Sequence, residues 1–472
     1  FYSSDITGTT YQPSEIVLQC KKVFKNIIAY DKFDFDGKKE SMYALRPAFD
    51  TVADMIGKGK KVPESLLEIF AQNPEYSPKL DSLINAKDKV PFKIFDKKNA
   101  EKLFGKNLNI SASQLEKFNL CRFSYFCNYG LNVRERQRAE INSMQYGTIV
   151  HYILERFFGE YTKEEYLSLE EDKFQKIVCA YLAEYAVKYF GEEQLESNSF
   201  TYRLKTILDN VMYLMKHIME ELSQSEFFVA DCELKIGEDI PSYTIVLPDG
   251  HKIAVCGSVD RVDIMQRADI TYLRIIDYKT GTKQFKLSDI LYGINLQMLL
   301  YLHSIEASGG DKYGEIVPAG ILYMPATVPY ISSDSLKSID KLPDELNKKL
   351  KMNGLLLKDT EIIHGMDKTD VATYIPVKIK AGEPVSSTSL ATLAEFGKIF
   401  KKVDMLIAEM GKNIYNGNIE AKPLKGGHDS CEYCPYDSVC AYRQSNPITC
   451  FSVDNKTVIE EITNEINGKE EE

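Results

Sequence analysis

The sequence contains no apolar run of about 18 residues, the length that a membrane-spanning helix needs. Its first residues also lack the charged, then apolar, then small-residue order of a secretory signal. The chain begins at Phe1 without a methionine, so we expect that a longer protein continues upstream. These absences predict a soluble protein with no membrane partner.

A phosphate-binding glycine loop is absent as well. The pattern G-x4-G-K-[ST], whose backbone amides cradle nucleotide phosphates, does not occur, and Gly57-Lys58-Gly59-Lys60 lacks its spacing. We therefore do not expect this chain to hydrolyse nucleotides by itself.

Positive charge is scarce. The net charge at pH 7 is −11, whereas proteins that coat nucleic acid usually carry a basic footprint. Part of the acidity lies between Glu460 and Glu472, which we interpret as a solvated, frayed acidic tail. The overall charge argues against extensive coating of DNA, and the candidates for a local basic path are Arg134, Arg136 and Arg138.

Cysteine is too sparse for a disulfide framework, with ten in 472 residues. Cys431, Cys434 and Cys440 form a C-x2-C-x5-C cluster in a loop with glycine and proline, where thiolates can converge on one metal centre. Such a cluster implies a reducing compartment, so we expect a cytoplasmic protein. Apart from Cys121, which is discussed below, the others are interpreted as small buried residues: Cys20, Cys127, Cys179, Cys232, Cys256 and Cys450.

Length and patterning predict several domains. A chain of 472 residues with 44% hydrophobic residues can hold about two to four of them. Residues 1–110 alternate helical patterns with breaks that contain lysine and proline. A capped helix start follows, because Ser113 and Glu116 have the spacing of a capping box. We therefore place domain boundaries after residues 110 and 330, which gives the segments 1–110, 111–330 and 331–472.

After residue 227 the hydrophobic period changes from helical to alternating. We predict strands over Phe228–Ile236, Ser258–Ile264, Tyr272–Tyr278 and Ile316–Met324. A helix is predicted over Ser288–Ile305, before the last of these strands. This order indicates an α/β (mixed α+β) fold class.

The tripeptide Asp277-Tyr278-Lys279 carries residue types that phosphodiester hydrolysis needs. Residues i and i+2 of a strand share a face, so the Asp277 carboxylate can bind Mg2+ while Lys279 orients or deprotonates water. Asp260 lies on the preceding predicted strand, about 4.8 Å away in a sheet, and can reach the same ion. An Asp-x-Lys tripeptide alone is more often a solvated strand end, so the pairing with Asp260 is what favours a metal site.

Three other residues are candidates for the same site. Gln297 and Tyr301 are four apart on one helix face, where they can hold a phosphate, a base edge or the lysine. The alternative for Tyr301 is a tyrosine of a half-buried helix. His151 follows Gly147 on one side of an earlier helix, and either ligates the metal or is a core histidine.

Taken in order, four motifs resemble the RecB-type branch of the PD-(D/E)xK nucleases: Gly147-x3-His151, Gly257-Ser-Val-Asp260-Arg261-x-Asp263, Asp277-Tyr278-Lys279-Thr280-Gly281 and Gln297-x3-Tyr301. This resemblance implies a restriction-endonuclease-like core, with a mixed central sheet flanked by helices. It implies that Lys279 assists the attacking water and that Gln297 and Tyr301 position the substrate. The implied ligands of Mg2+, or of Mn2+ in its place, are His151, Asp260, Asp277 and the Tyr278 carbonyl.

A second resemblance covers roughly residues 40–450. Ser111-Ala-Ser-Gln-Leu115, the following Cys121-Arg122-Phe123 and the late cysteines resemble the nuclease domain of the AddB family, the B subunits of bacterial ATP-dependent helicase/nucleases (AddAB). Arg122 departs from the family pattern, which has proline there. The resemblance implies a [4Fe-4S] cluster held by Cys121, Cys431, Cys434 and Cys440, with Cys127 as a rival early ligand. Tetrahedral Zn2+ would satisfy the same thiolates, so the spacing leaves both open.

On this resemblance we expect the C-terminal portion of such a subunit, with residues 1–110 as the helical tail of a helicase-like region. The expected activity is a metal-dependent DNA exonuclease in double-strand-break repair and recombination. It would hydrolyse single-stranded DNA unwound by the helicase/nuclease A subunit, its partner in a heterodimer. The alternatives are a stand-alone iron–sulfur exonuclease of the CRISPR-associated type and a non-catalytic DNA-binding or scaffolding module.

Overall fold

The computed structural model describes residues 15–24, 44–57, 60–85, 93–94, 96–134, 143–191, 197–281, 284–327, 342–386, 388–440, 442 and 447–470. The chain forms two compact units, Phe1–Pro91 and Phe92–Glu472. Residues 92–110, which the sequence analysis assigned to the N-terminal segment, belong to the second unit because a strand at Asn107–Ile110 pairs within it. None of the helices in the described ranges has the length and apolar character needed to cross a membrane.

The first unit is helical, as predicted. Aromatic rings hold its helices together: Phe49 lies 5.2 Å from Phe70 and 5.0 Å from Tyr76, measured between ring centroids. All three side chains are buried, so their packing supplies the core of this small unit. Its helices are α1 (Glu15–Val23), α2 (Leu45–Gly57), α3 (Glu64–Gln72) and α4 (Ser77–Asn85).

The second unit is built on a six-stranded mixed sheet, which confirms the predicted fold class. The strands of this unit are β1 (Asn107–Ile110), β2 (Phe228–Ile236), β3 (Thr244–Val246), β4 (Lys252–Val255), β5 (Gly257–Arg267), β6 (Ile270–Lys279), β7 (Glu315–Pro325), β8 (Asn353–Leu357), β9 (Lys378–Lys380), β10 (Glu383–Val385), β11 (Leu390–Ala391), β12 (Leu424–Gly426) and β13 (Ile448–Cys450). The six-stranded sheet has the order β11-β8-β7-β6-β5-β2, in which β6–β7 and β8–β11 are parallel and the other pairs antiparallel, and the remaining strands form three smaller sheets.

Helices pack on both sides of this sheet, so its central strands β6 and β7 are nearly continuous runs of buried residues. A π-helical turn covers Phe126–Gly130 and a 3-10 helix covers Leu287–Tyr292. The helices are α5 (Lys97–Phe104), α6 (Ala112–Leu120), α7 (Arg122–Tyr125), α8 (Ser143–Glu160), α9 (Lys163–Leu167), α10 (Glu171–Phe190), α11 (Asn198–Ser223), α12 (Gln297–Ser308), α13 (Gly310–Tyr313), α14 (Leu342–Leu350), α15 (Thr360–Met366), α16 (Leu393–Tyr415) and α17 (Asn455–Glu470).

The predicted helix over Ser288–Ile305 is wrong in its first part. Residues 287–292 form the 3-10 helix, and α12 begins only at Gln297. Gly293 and Asn295 lie between them with φ angles of 68° and 57°, a left-handed conformation that a continuous α-helix does not allow. The break places Gln297 in the first turn of α12.

The predicted capping box at the start of α6 is also wrong, by two residues. The N-cap is Ser111, whose backbone N–H donates to the Gln114 side chain at 2.9 Å, while the Gln114 N–H donates to the Ser111 hydroxyl. Glu116 is therefore not needed for this cap.

As far as Glu470, the acidic end of the chain is not the frayed segment that its charge predicted; Glu471 and Glu472 lie outside the described residues. Residues 455–470 form α17, whose Val458 and Ile462 are buried against the core. Glu465 accepts a 2.5 Å bond from the buried Lys402 of α16. An apolar stripe hidden among the glutamates explains the docking.

Candidate active site

Asp260 and Asp277 face each other across two antiparallel strands. The register of β5 and β6 pairs Arg261 with Ile276, so Asp260 and Asp277 occupy the next positions and share one face of the sheet. The backbone N–H of Tyr278 donates to Asp260 Oδ2 at 2.9 Å. Two carboxylates thus lie side by side at the end of a buried sheet.

Asp277 is held by two further candidates. Lys279 Nζ lies 2.5 Å from Asp277 Oδ2, as expected for residues i and i+2 of a strand. Gln297 Nε2 donates to Asp277 Oδ1 at 3.1 Å from the first turn of α12. Both oxygens of this buried carboxylate are therefore oriented by side chains that the motifs singled out.

His151 and Asp260 meet a third residue, Glu233, that no sequence motif predicted. His151 Nδ1 bonds Glu233 Oε1 at 2.8 Å, and His151 Nε2 lies 3.6 Å from Asp260 Oδ2. Ser258 donates to the other Glu233 oxygen at 2.7 Å. Among the described residues, His151, Glu233 and Asp260 form a group whose ligand atoms all lie within 4.8 Å of one another. The structure therefore places His151 beside the site carboxylates, and its role as a metal ligand stays a prediction.

Glu233 is presented to the site by an irregular strand. It lies in β2 with a φ angle of 50°, a conformation that residues other than glycine adopt at a cost, and the register of β2 with β5 shifts nearby, between Val229 and Asp231. An alternating pattern carries no sign of such an irregularity. The sequence offers no signal that would have distinguished Glu233 from any other strand glutamate.

The charges of this group perturb one another. Burial is the largest cause that raises the pKa of Asp260, and the Asp277 carboxylate adds to it, so that the pKa reaches about 7. Burial lowers the pKa of His151, but the bond to Glu233 and the charge of Asp260 outweigh it and raise the pKa. Burial likewise raises the pKa of Glu233, and the bonds from His151 and Ser258 outweigh it and lower the pKa. Acidic groups this close favour a bound cation.

Tyr301 lies directly over Gly257, the first residue of β5. A methyl group on Gly257 would come within 2.2 Å of the Tyr301 hydroxyl oxygen, so only glycine leaves room for the ring. Burial raises the pKa of Tyr301 to about 12, which keeps the phenol protonated. The Tyr278 side chain leaves the sheet on the opposite face and is buried, and its ring meets the edge of the His151 ring with 5.8 Å between the centroids.

That opposite face carries a network of four fully buried charges. Arg261 binds Asp263 through two bonds of 2.6 Å, and its Nη2 also donates to Glu221 of α11 at 3.0 Å. Arg274 bonds the same two acids at 3.0 Å and 2.6 Å. Two arginines and two carboxylates balance in charge, and they tie α11 to the strands that carry Asp260 and Asp277.

The cysteine candidates converge at the end of α6. Cys121 and Cys127 are buried and pack in one cluster with Cys434, Cys440 and Tyr436. Burial raises the pKa of the Cys440 thiol, and the nearby thiols of Cys434 and Cys431 raise it further. The Tyr436 hydroxyl fastens the loop by donating to the Val133 carbonyl at 2.7 Å. Of the basic residues proposed as a DNA path, Arg134 is exposed, whereas Arg136 and Arg138 lie outside the described residues.

A family of known proteins matches the part of the chain that contains this site. Residues 109–441 match the PD-(D/E)XK nuclease superfamily. The chain belongs to this superfamily. The matched segment contains every candidate residue from Cys121 to Cys440, and it excludes the helical first unit.

Curated relatives share a further description. The chain is 31% identical over 93% of its length to the B subunit of an ATP-dependent helicase/deoxyribonuclease of Clostridium acetobutylicum. Identities of 31% over 99% and 30% over 93% are found with proteins of the same description from Clostridium kluyveri and a Thermoanaerobacter species. These matches confirm the resemblance to helicase/nuclease B subunits. The chain spans 40 to 43% of the length of these relatives.

Proposed function

We propose that this chain is the nuclease part of a helicase/deoxyribonuclease B subunit, and that it hydrolyses phosphodiester bonds of single-stranded DNA as an exonuclease. The observation that carries the proposal is the meeting of Asp260, Asp277 and Lys279 with His151 at one end of a PD-(D/E)XK sheet. The relatives' description supports a partner subunit with helicase activity, which would deliver unwound strands during repair and recombination in the cytoplasm.

The residues present fit a divalent cation such as Mg2+ or Mn2+. His151, Glu233 and Asp260 offer one imidazole and two carboxylates within 4.8 Å of one another, and Asp277 lies beside Asp260. The Tyr278 carbonyl remains a predicted fifth contact. When bound, the cation supplies charge neutralisation for the phosphate oxygens.

The other site residues orient the attacking water, the Asp277 carboxylate and the substrate. Asp277 holds the Lys279 ammonium at 2.5 Å, which leaves this half-buried cation poised to orient the attacking water or to bind a phosphate oxygen. Gln297 fixes the second Asp277 oxygen, so the carboxylate cannot rotate away. Tyr301, a protonated phenol over Gly257, shapes the adjoining wall for the substrate.

The experiment that tests this function uses end-labelled single-stranded DNA with Mg2+, with and without the partner helicase subunit. We expect Asp277→Ala and Lys279→Ala each to lower the cleavage rate by at least about 100-fold. Lys312→Ala is the matched control, since Lys312 also forms a 2.5 Å ion pair with an aspartate, Asp231, outside the site. Cleavage that survives both site substitutions would rule out the assigned residues.

We also propose that the cysteine cluster holds [4Fe-4S] as a structural staple. Cys121, Cys434 and Cys440 lie in one hydrophobic cluster, which supports convergence of these thiolates on one centre. The family resemblance favours an iron–sulfur cluster there, and tetrahedral Zn2+ accepts the same four thiolates, so the metal analysis below decides between them. The ligands are Cys121, Cys431, Cys434 and Cys440.

Anaerobic purification tests the cluster. We expect absorbance near roughly 400 nm together with iron and sulfide, and loss of both in Cys434→Ser but not in Cys179→Ser. Comparison of Cys121→Ser with Cys127→Ser identifies the early ligand. A colourless protein with stoichiometric zinc would refute the iron–sulfur assignment.

A further inference from the structure

Glu116 caps a helix to which it does not belong. It lies on α6, yet its Oε1 accepts the backbone N–H of Leu296 at 2.7 Å and that of Gln297 at 3.2 Å, at the start of α12. The N-cap residue of α12, Leu296, provides no side-chain cap of its own. The first N–H groups of a helix have no partners within it, so Glu116 supplies what the local sequence lacks. Its negative charge also suits the positive end of the helix dipole.

The capped residue is the one that reaches the active site. Gln297 receives Glu116 through its backbone and donates from its side chain to Asp277 Oδ1 at 3.1 Å. Asp277 in turn holds Lys279. A shift of the first turn of α12 therefore moves the amide that orients the Asp277 carboxylate.

Glu116 acts from a helix whose C-terminal end is held by two contacts. α6 ends at Cys121, which serves as its C-cap and belongs to the cysteine cluster. Near the same end of α6, Asn119 Nδ2 donates to the carbonyl of Gly293 at 3.0 Å, and Gly293 lies just before α12. α6 is thus a rigid connection from the cysteine cluster to the start of α12.

We propose that Glu116 is a positioning residue of the nuclease site, which sets the first turn of α12 so that Gln297 meets Asp277. The inference rests on the proposed function, since the reaction it tunes is the metal-dependent cleavage assigned above. It also gives the α6 segment a second task, because the helix that presents Cys121 is the same helix that holds the active-site amide in place.

The test compares three substitutions in the full chain. Glu116→Ala removes the acceptor, and Glu116→Gln keeps an acceptor oxygen without the charge. Glu165→Ala is the matched control, because Glu165 also accepts a backbone N–H at a helix start, that of Thr162 at 2.8 Å, but far from α12 in sequence. Cleavage of single-stranded DNA is measured as kcat and KM, and backbone hydrogen exchange is measured at residues 296 and 297.

We expect Glu116→Ala to lower kcat by about 10-fold or more with KM for DNA little changed, since small displacements at a site reduce rate strongly. Glu116→Gln should recover most of that loss, and Glu165→Ala should leave kcat unchanged. Because Glu116 acts through Gln297, the double variant with Gln297→Ala should be no slower than Gln297→Ala alone. The rate of backbone hydrogen exchange at residues 296 and 297 should rise about 10-fold in Glu116→Ala only.

Losses that multiply in the double variant, or a Glu116→Ala enzyme as fast as Glu165→Ala, would overturn the inference. A wild-type chain that neither cleaves DNA with its partner nor binds Mn2+ would instead refute the proposed function. In that case exchange at residues 296 and 297 still decides the positioning contact: unchanged exchange in Glu116→Ala overturns it, and faster exchange supports it.

Discussion

Replacing Arg274 by methionine tests whether the buried ionic network supports the sheet beneath the site. The substitution keeps much of the side-chain volume and removes one of two buried cations. Asp263 and Glu221 then share Arg261 alone, so one negative charge remains uncompensated where all four side chains are fully buried. At present Arg261 and Arg274 outweigh the burial of Asp263 and lower its pKa.

The expected cost follows from that imbalance. Removing one partner of a buried ion pair typically costs about 3–5 kcal/mol, because the other charge is left in a low-dielectric interior. In a unit of this size, each kcal/mol corresponds to roughly 1.2 °C in Tm, so the loss should be about 4–6 °C. The double variant Arg274→Met with Glu221→Leu restores the balance, and its cost should be well below the sum of the two single costs.

Thermal and denaturant unfolding of the four proteins measure these differences. Arg267→Met is the control, since Arg267 lies on the same strand, β5, as Arg261 but pairs with Glu226 at the surface, where an ion pair contributes about 0–1 kcal/mol. If Arg274→Met costs no more than Arg267→Met, or if the single costs simply add, the network does not have the role assigned to it.

Three further predictions concern the site and its surroundings. Gly257→Ala should displace Tyr301 and cost about 1–3 kcal/mol in free energy of unfolding, with reduced cleavage; unchanged stability would contradict the 2.2 Å approach. Glu233→Gln should weaken Mn2+ binding in a calorimetric titration by at least about 10-fold, and equal affinity would remove Glu233 from the ligand set. In His303, burial lowers the pKa, but the 3.0 Å bond to Asp404 and the nearby Glu306 raise it to about 9. A histidine whose pKa is raised in the folded state stabilises the fold fully below about pH 6.5, and this stabilisation is lost as the pH rises through 9. Relative to the wild type, His303→Gln should therefore lose up to about 3 kcal/mol more free energy of unfolding at pH 6 than at pH 9.5.

Much of the site could be predicted because its signals are local. Asp277 and Lys279 are two residues apart in a strand, and Gln297 and Tyr301 are four apart in a helix, so the periods of the two structures dictate which side chains share a face. The pairing of Asp260 with Asp277 followed from one short connection between antiparallel strands. Their catalytic roles stay predictions until cleavage is measured.

The errors occurred where a side chain serves a distant partner. Glu116 has the spacing of a capping box with Ser113, but it caps α12, 180 residues later. The glutamates after residue 455 look solvated, but α17 alternates them with Val458 and Ile462, which dock on the core. Spacing alone cannot tell which helix end, or which apolar surface, such a residue will meet.

The sequence by itself therefore determined the fold class, the superfamily and the residue types at the end of β5 and β6, because these depend on hydrophobic period and short spacings. Only the tertiary structure decided that Glu233 joins His151 and Asp260, and that Glu116 holds Gln297. Both contacts join segments that are far apart in the chain, through a left-handed strand residue in one case and a helix start without its own cap in the other. Such contacts arise when the sheet and helices pack, and no local pattern encodes them.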